Sequence, residues 1–258
     1  MTASDRPTIA PGSPPARPAT RPRLSVWLAG RVPFEDYLAA VERLAWEVSE
    51  PGGRGPTLVL CEHAGVITIG RGGSRRDVGY SDEELRARQV GLRFVGRGGG
   101  AIPHAPGQVA VALFARLADL GLGESDVGGY QRRLEEGILC GLQAMRCGPL
   151  RVDRGGVFGR TGLLAAVGIA VRRGVVCHGA YLNVSSRPDA FASVRCVAGR
   201  PMGSVEAERQ RPLRLTAARS ILVEKIADAF DAEVAGIQSG FPRGPSRPVL
   251  PSEHRHVG

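Results

Sequence analysis

The chain has 258 residues, 43 % of them apolar and 5 % aromatic, and carries a net charge of +9. That length buries a substantial core in one large domain or two small ones. No run approaches the roughly 18 unbroken apolar residues a membrane helix needs, and so few aromatics leave out the stacking platforms of single-strand nucleic-acid binders. All but one of the 34 basic residues are arginine, Lys225 being the exception. They are scattered as a coding bias would scatter them, yet a positive surface still speeds encounter with acidic partners.

Residues 1–23 lack an apolar signal core and read as a disordered Pro/Arg-rich tail. Residues 241–258 read as a second, flexible tail, so 24–240 is the expected folded body. Within it, 24–28 is a strand, and 34–48 places Phe34, Leu38, Val41, Leu44, Ala45 and Val48 at helical spacing. Runs 57–61 and 66–69, split by polar residues, read as strand, turn and strand. Ser81 and Glu84 have capping-box spacing, and 91–95 returns as a strand. A further strand is expected over 109–114. Asp126 caps a helix reaching Met145, with Tyr130, Leu134, Ile138 and Leu142 on one face. Short strands follow at 150–152, 156–158, 163–171, 175–177 and 181–184, with Gly174 and Gly179 as breaks. A last helix spans 216–234. Clustered strands with segregated helices argue an α+β fold: one domain, a mixed or antiparallel sheet flanked by helices.

The most informative segment is RGGGAIPHAPGQ, residues 97–108. Consecutive glycines let backbone approach a ligand closely, so Arg97, Gly98, Gly99, Gly100, Ala101, Ile102, Pro103 and His104 form a candidate binding loop. In the second segment, residues 172–184, His178 and Asn183 are polar in an apolar run. Alternation along a strand is expected to point Cys177 and His178 to opposite faces, leaving Cys177 a small buried hydrophobe. Cys196 lies beside Arg195 and Arg200 in a glycine-containing stretch, and cationic neighbours favour a thiolate. The five cysteines form no CxxC pair or zinc spacing, so no metal is expected and the thiols read as free, in a reducing cytoplasm. Walker and GlyxGlyxxGly patterns are absent.

CEHAGVITIGR (61–71), RGGGAIPHAPGQ (97–108), GLLAAVG (162–168), CHGAYLNV (177–184) and RCVAG…GS (195–204) resemble, in order and spacing, successive blocks of the octanoyltransferase (lipoate-protein ligase B) family. The resemblance implies a biotin/lipoate ligase-like fold and transfer of an octanoyl group from acyl carrier protein through an acyl-thioester on one cysteine. The acceptor is a lysine of a lipoyl domain, in 2-oxoacid dehydrogenases or the glycine cleavage H protein. Cys196 falls at the cysteine's position. Residues 97–104 match the loop around the acyl thioester. Ala166, Val167 and Gly168, with Gly179, Ala180 and Tyr181, match two more walls of the acyl tunnel. No cofactor, nucleic acid or membrane is implied.

Where the family has a lysine partnering the nucleophile, this chain has Leu163, so His178 is the candidate base. Pro103, Ala105 and Arg195 depart from the pattern too. A degenerate paralogue that binds acyl groups or a lipoyl domain without turnover is the alternative. An ATP-using ligase meets the same missing lysine, and a basic nucleic-acid module would show steep salt dependence.

Overall fold

The computed structural model describes residues 20–63, 65–153, 155–186, 194 and 201–242, and most of both expected tails lies outside them. The strands are β1 (Arg23–Arg31), β2 (Thr57–Glu62), β3 (Val66–Ile69), β4 (Gly91–Phe94), β5 (Ala101–His104), β6 (Gln108–Arg116), β7 (Arg151–Asp153), β8 (Gly156–Gly159), β9 (Gly162–Arg172), β10 (Val175–Asn183) and β11 (Glu233–Ser239). The helices are α1 (Phe34–Ser49), α2 (Asp82–Ala87), α3 (Val127–Ala144), α4 (Val205–Arg209) and α5 (Leu215–Ala229). Eight strands form one sheet in the order β11-β1-β2-β6-β10-β9-β8-β7, and β4-β3-β5 form a second, smaller sheet. β1 pairs parallel with β11 and β2, and the rest of the large sheet is antiparallel, so the sheet is mixed.

Both faces of the large sheet are covered, which is why its central strands read as unbroken apolar runs. Val109, Val111 and Leu113 of β6 join Val176, Ala180 and Leu182 of β10 in a core shared with Leu134 and Ile138 of α3 and Leu222 and Ile226 of α5. The alternate residues Ala110, Ala112, Phe114, Val175, Cys177 and Tyr181 face Phe34, Tyr37, Val41 and Leu44 of α1. A third cluster, with Ile67, Ile69, Val78, Leu85, Ala101 and Val194, lies on the small sheet. None of the described helices is long and apolar enough to cross a membrane.

Local signals hold at the helix starts. Ser81 and Glu84 make the reciprocal capping box of α2, and Asp126 caps α3 by accepting from the Gly129 amide at 2.7 Å. Runs 57–61 and 66–69 are strands on either side of a short connection, as expected, and they lie in different sheets, because the chain leaves the large sheet after Glu62 and enters the small one at Val66. Three expectations are corrected. The glycine segment contains its own strand, β5, paired with β3. The last helix ends at Ala229, where Asp231 turns left-handed (φ 49°), the Ala232 amide closes onto the Ala227 carbonyl, and Val234 belongs to β11. The short α4, which follows the cysteine segment, was not foreseen.

The third correction concerns Gly179. It does not break β10 but lies at its centre, paired with Gly168 on β9 and Ala112 on β6. A Cβ there would come 2.3 Å from the Val111 carbonyl oxygen, so glycine is what lets β10 and β6 close. Gly179→Ala is therefore expected to cost roughly 2–3 kcal/mol by overpacking. Thermal unfolding followed by circular dichroism should show a Tm lower by on the order of 5–10 °C.

Candidate active site

The glycine loop is pressed between two strands' worth of backbone. The amides of Arg71, Gly72 and Gly70 donate to the carbonyls of Arg97, Gly99 and Gly100 at 2.9, 3.0 and 3.1 Å, and the Gly98 amide donates to Ile169 on β9 at 2.8 Å. Gly168 makes room for this, since a Cβ there would sit 2.7 Å from the Gly98 oxygen. Arg97, expected at the loop's end facing a ligand, folds back instead and is fully buried. Its Nη1 donates to Gly98 and Gly100 carbonyls at 2.9 and 3.1 Å, and its Nη2 donates to the Thr68 carbonyl at 3.1 Å and hydroxyl at 2.6 Å. Its Nε has no partner, and burial lowers its proton affinity. The Gly99 and Gly100 amides donate no hydrogen bond among the described residues.

A directed chain of hydrogen bonds runs on from Arg97. Thr68 Oγ1 lies 2.9 Å from His104 Nε2, and His104 Nδ1 lies 2.8 Å from Gln108 Oε1. Gln108 Nε2 donates to the Pro103 carbonyl at 3.1 Å and to Asn183 Oδ1 at 2.9 Å. Asn183 Nδ2 donates to the carbonyls of Gly203 at 3.1 Å and Leu163 at 3.3 Å. The Gln108 oxygen can only accept, so His104 carries its proton on Nδ1 and takes the Thr68 proton on Nε2. Burial, with His63 and Arg97 adding to it, holds His104 well below the usual imidazole range. His104 is thus a neutral strut with both nitrogens engaged.

His178 is arranged differently. It adopts φ 60° inside a strand, a region few residues other than glycine enter. That turn overrides the alternation: its ring reaches the α1 side, where Nδ1 lies 3.1 Å from the Tyr37 hydroxyl, while Cys177 faces the same layer. The expectation of opposite faces fails there for that reason. Nε2 of His178 is buried without a partner. Burial, then the fields of Arg97, Arg172 and His63, push its pKa down to about 3. Tyr37, also buried, keeps its proton. His63 anchors the same wall by donating from Nδ1 to the Val32 carbonyl at 2.9 Å.

Of the other expected walls, Ile102, Ala166 and Tyr181 face the α1 layer, and the Arg97 guanidinium lies 5.6 Å from the Tyr181 ring centre. Val167 and Ala180 point to the opposite core, so they can offer only backbone to this side. Ala101 belongs to the small-sheet cluster. Leu163 is buried among Phe158, Tyr181 and Met202. It pairs with Met202, its amide donating to Pro201 at 2.9 Å and its carbonyl accepting from Gly203 at 3.0 Å. Lys225 sits on α5, across the sheet, paired with Glu224 and Asp228.

Cys196 and Arg195 lie outside the described residues, which hold the flanks: Val194 bridges Val78, and Met202 bridges Leu163. Among the described cysteines, burial pushes Cys61 and Cys177 up to about 12 and Cys147 up to about 11, which keeps these thiols protonated at neutral pH. Thr68, Tyr37, His63 and Gln108 were missed as site residues. Thr68 and His63 stand as polar residues within the block CEHAGVITIGR and Gln108 closes the segment 97–108, whereas Tyr37 gave no signal beyond its place on α1.

Residues 35–233 match the model of the lipoyl protein ligase A/B catalytic domain family. The octanoyltransferase of Geobacter metallireducens is 33 % identical over 223 residues, covering 83 % of this chain and 96 % of its own. That of Geotalea uraniireducens is 35 % identical over 182 residues, covering 69 % and 80 %. A crystal structure of lipoate-protein ligase A bound with ATP superposes with a TM-score of 0.67 at 14 % identity, over 83 % of this chain and 88 % of that one. The bi-partite lipoate protein ligase of Thermoplasma acidophilum gives 0.63 at 16 % identity, over 83 % and 86 %. At those identities the structural likeness is one of fold.

The buried imidazoles make stability depend on pH. His63, His104 and His178 all hold a proton more weakly folded than unfolded. Their contribution is complete above the unfolded pKa of about 6.5 and is lost as pH falls, over a window that for His178 extends down to about 3. Each fully titrating histidine adds a slope of up to about 1.4 kcal/mol per pH unit. Urea unfolding at pH 7.5, 6 and 5 is expected to show the loss. His178→Asn, which tolerates a left-handed backbone, should flatten it, whereas an unaltered slope would mean His178 protonates freely in the folded chain.

Proposed function

The chain belongs to the lipoyl protein ligase A/B catalytic domain family and is an acyltransferase, and we propose that it moves an octanoyl group from acyl carrier protein to a lysine of a lipoyl domain, through a thioester on Cys196. One observation carries the reading: among the buried, unpartnered nitrogens of the described residues, Arg97 Nε and His178 Nε2 belong to the wall of the apolar layer between α1 and the sheet. The Arg97 field reaches the imidazole. An octanoyl thioester has complementary chemistry, a saturated chain ending in one carbonyl. The net charge of +9 suits an acidic carrier.

In this reading the Cys196 thiolate attacks the thioester carbonyl, the carbon–sulfur bond to the carrier breaks, and the carrier thiol leaves with a proton. The acceptor's neutral amine then attacks the acyl-cysteine, forming an amide, releasing the thiolate and losing a proton. His178, expected above to be the base, binds protons too weakly for that task. We assign the Nε2–H tautomer of His178, with the loop amides of Gly99 and Gly100, to steadying the oxyanion. Leu163 offers no charge to the thiol. A thiol near pKa 8.5 is only a few per cent ionised at neutral pH, and a missing acid–base partner costs roughly 10²–10⁴ in rate. Slow turnover is the expected consequence.

Incubation with octanoyl-acyl carrier protein followed by intact-mass measurement is expected to show one octanoyl increment, absent in Cys196→Ser. Labelling that survives the substitution would move the nucleophile to another cysteine. A folded protein that never acquires the increment would bind acyl groups or lipoyl domains without turnover.

Leu163→Lys tests the missing partner. A lysine in that apolar setting has a lowered pKa and can work as a base, so stopped-flow acylation should accelerate by roughly 10². No gain in a variant with an unchanged circular dichroism spectrum would show that the site does not use this position.

A further inference from the structure

We propose that the pocket on the outer side of His104 receives the phosphate-bearing arm of the donor thioester, with Arg88 as the phosphate anchor; this rests on the transfer reading above. The pocket, of about 570 Å³, lies at the open end of the small sheet. Buried Val66, Ile67 and Pro103 form its apolar floor, and Tyr80 and Arg88 line it as well. His104 lines it too, and pairs across β3 with Val66. The pocket therefore shares a wall with the hydrogen-bonded chain that starts at Arg97.

Arg88 is an exposed cation that no carboxylate meets among the described residues. Among the described residues its guanidinium makes one hydrogen bond, to the Glu84 carbonyl at 3.5 Å. The nearby acids are engaged: Glu84 accepts from the Ser81 amide at 2.8 Å, and Asp82 pairs with Arg75 at 2.9 Å. The guanidinium lies 4.5 Å from the centre of the Tyr80 ring. Tyr80 is itself held, because Arg75 donates to its carbonyl at 2.6 Å. A guanidinium stacked in this way loses little freedom on binding and presents its fork to a phosphate.

The walls fit the rest of such an arm. Its methylene and methyl groups meet the apolar floor, and its anionic end meets Arg88 at the rim. Direction is supplied by the Val78–Val194 bridge, two residues before Tyr80, which fastens the start of the cysteine segment beside the pocket. Ile67 lies in the pocket floor and in the same cluster as Val194. An arm lying there would bring its sulfur end toward that segment.

The arm is common to carrier protein and coenzyme A, so the test uses probes that separate it from either. Calorimetric titration with 4′-phosphopantetheine and with pantetheine needs no turnover. Wild type is expected to bind the phosphorylated probe about tenfold more tightly, and Arg88→Gln should abolish the difference. Equal affinity for the two probes in wild type, or a difference that persists in R88Q, overturns the proposal. In kinetics, a KM raised for both octanoyl-acyl carrier protein and octanoyl-coenzyme A supports it. A KM raised for the carrier protein alone places Arg88 on the protein surface contact and overturns it. If no octanoyl transfer occurs at all, the transfer reading fails while the probe titrations still decide the pocket.

Discussion

Arg97 brings a positive charge into a region where, among the described residues, no carboxylate meets it. Desolvating such a charge costs several kcal/mol, and it is offset by four hydrogen bonds to neutral oxygens. Those oxygens belong to the glycine loop and to Thr68 of β3, so the guanidinium fixes the loop's shape and joins it to the small sheet. From Thr68 the polarised sequence of donors continues through His104, Gln108 and Asn183 to the backbone of Gly203. A chain in which every donor points the same way strengthens each of its bonds. The loop, the small sheet and the far flank of the cysteine segment are held as one unit.

The large sheet separates two kinds of interior. Against α3 and α5 it packs an apolar core of branched and aromatic side chains. Against α1 it is apolar with polar groups set into its wall: Tyr37, His63, Arg97 and His178. Most of these have partners, and the ones left open are at Arg97 and His178. The chain's one lysine lies on the α5 side. No rotamer change could bring it through the sheet to Leu163, so the α1 side has no lysine ammonium of its own.

Much of this was legible from the residues. The helix caps at Ser81 and Asp126, the amphipathic spacing of α1 and the apolar runs of β6 and β9 led directly to the elements found. What escaped depended on contacts distant along the chain. Gly179 looked like a strand break because glycine usually is one; only the approach of Val111 from β6 explains it within a strand. Alternation misplaced the His178 side chain, since a single left-handed residue reverses direction without any mark in the sequence. Tyr37 sits three residues after Phe34 on α1 and was not singled out, although it is buried against His178. The glycine loop was recognised as a site, but the inward fold of Arg97 follows from where β3 and β9 lie.

The stretch between Val194 and Pro201 is fastened at each end to a different sheet, Val194 on the small-sheet side through Val78 and Met202 on β9 through Leu163. Six residues separate Val194 from Pro201. With both flanks pinned, the small sheet and β9 are joined along the chain as well as through the Arg97 hydrogen bonds, and parting them would have to break one bridge or the other.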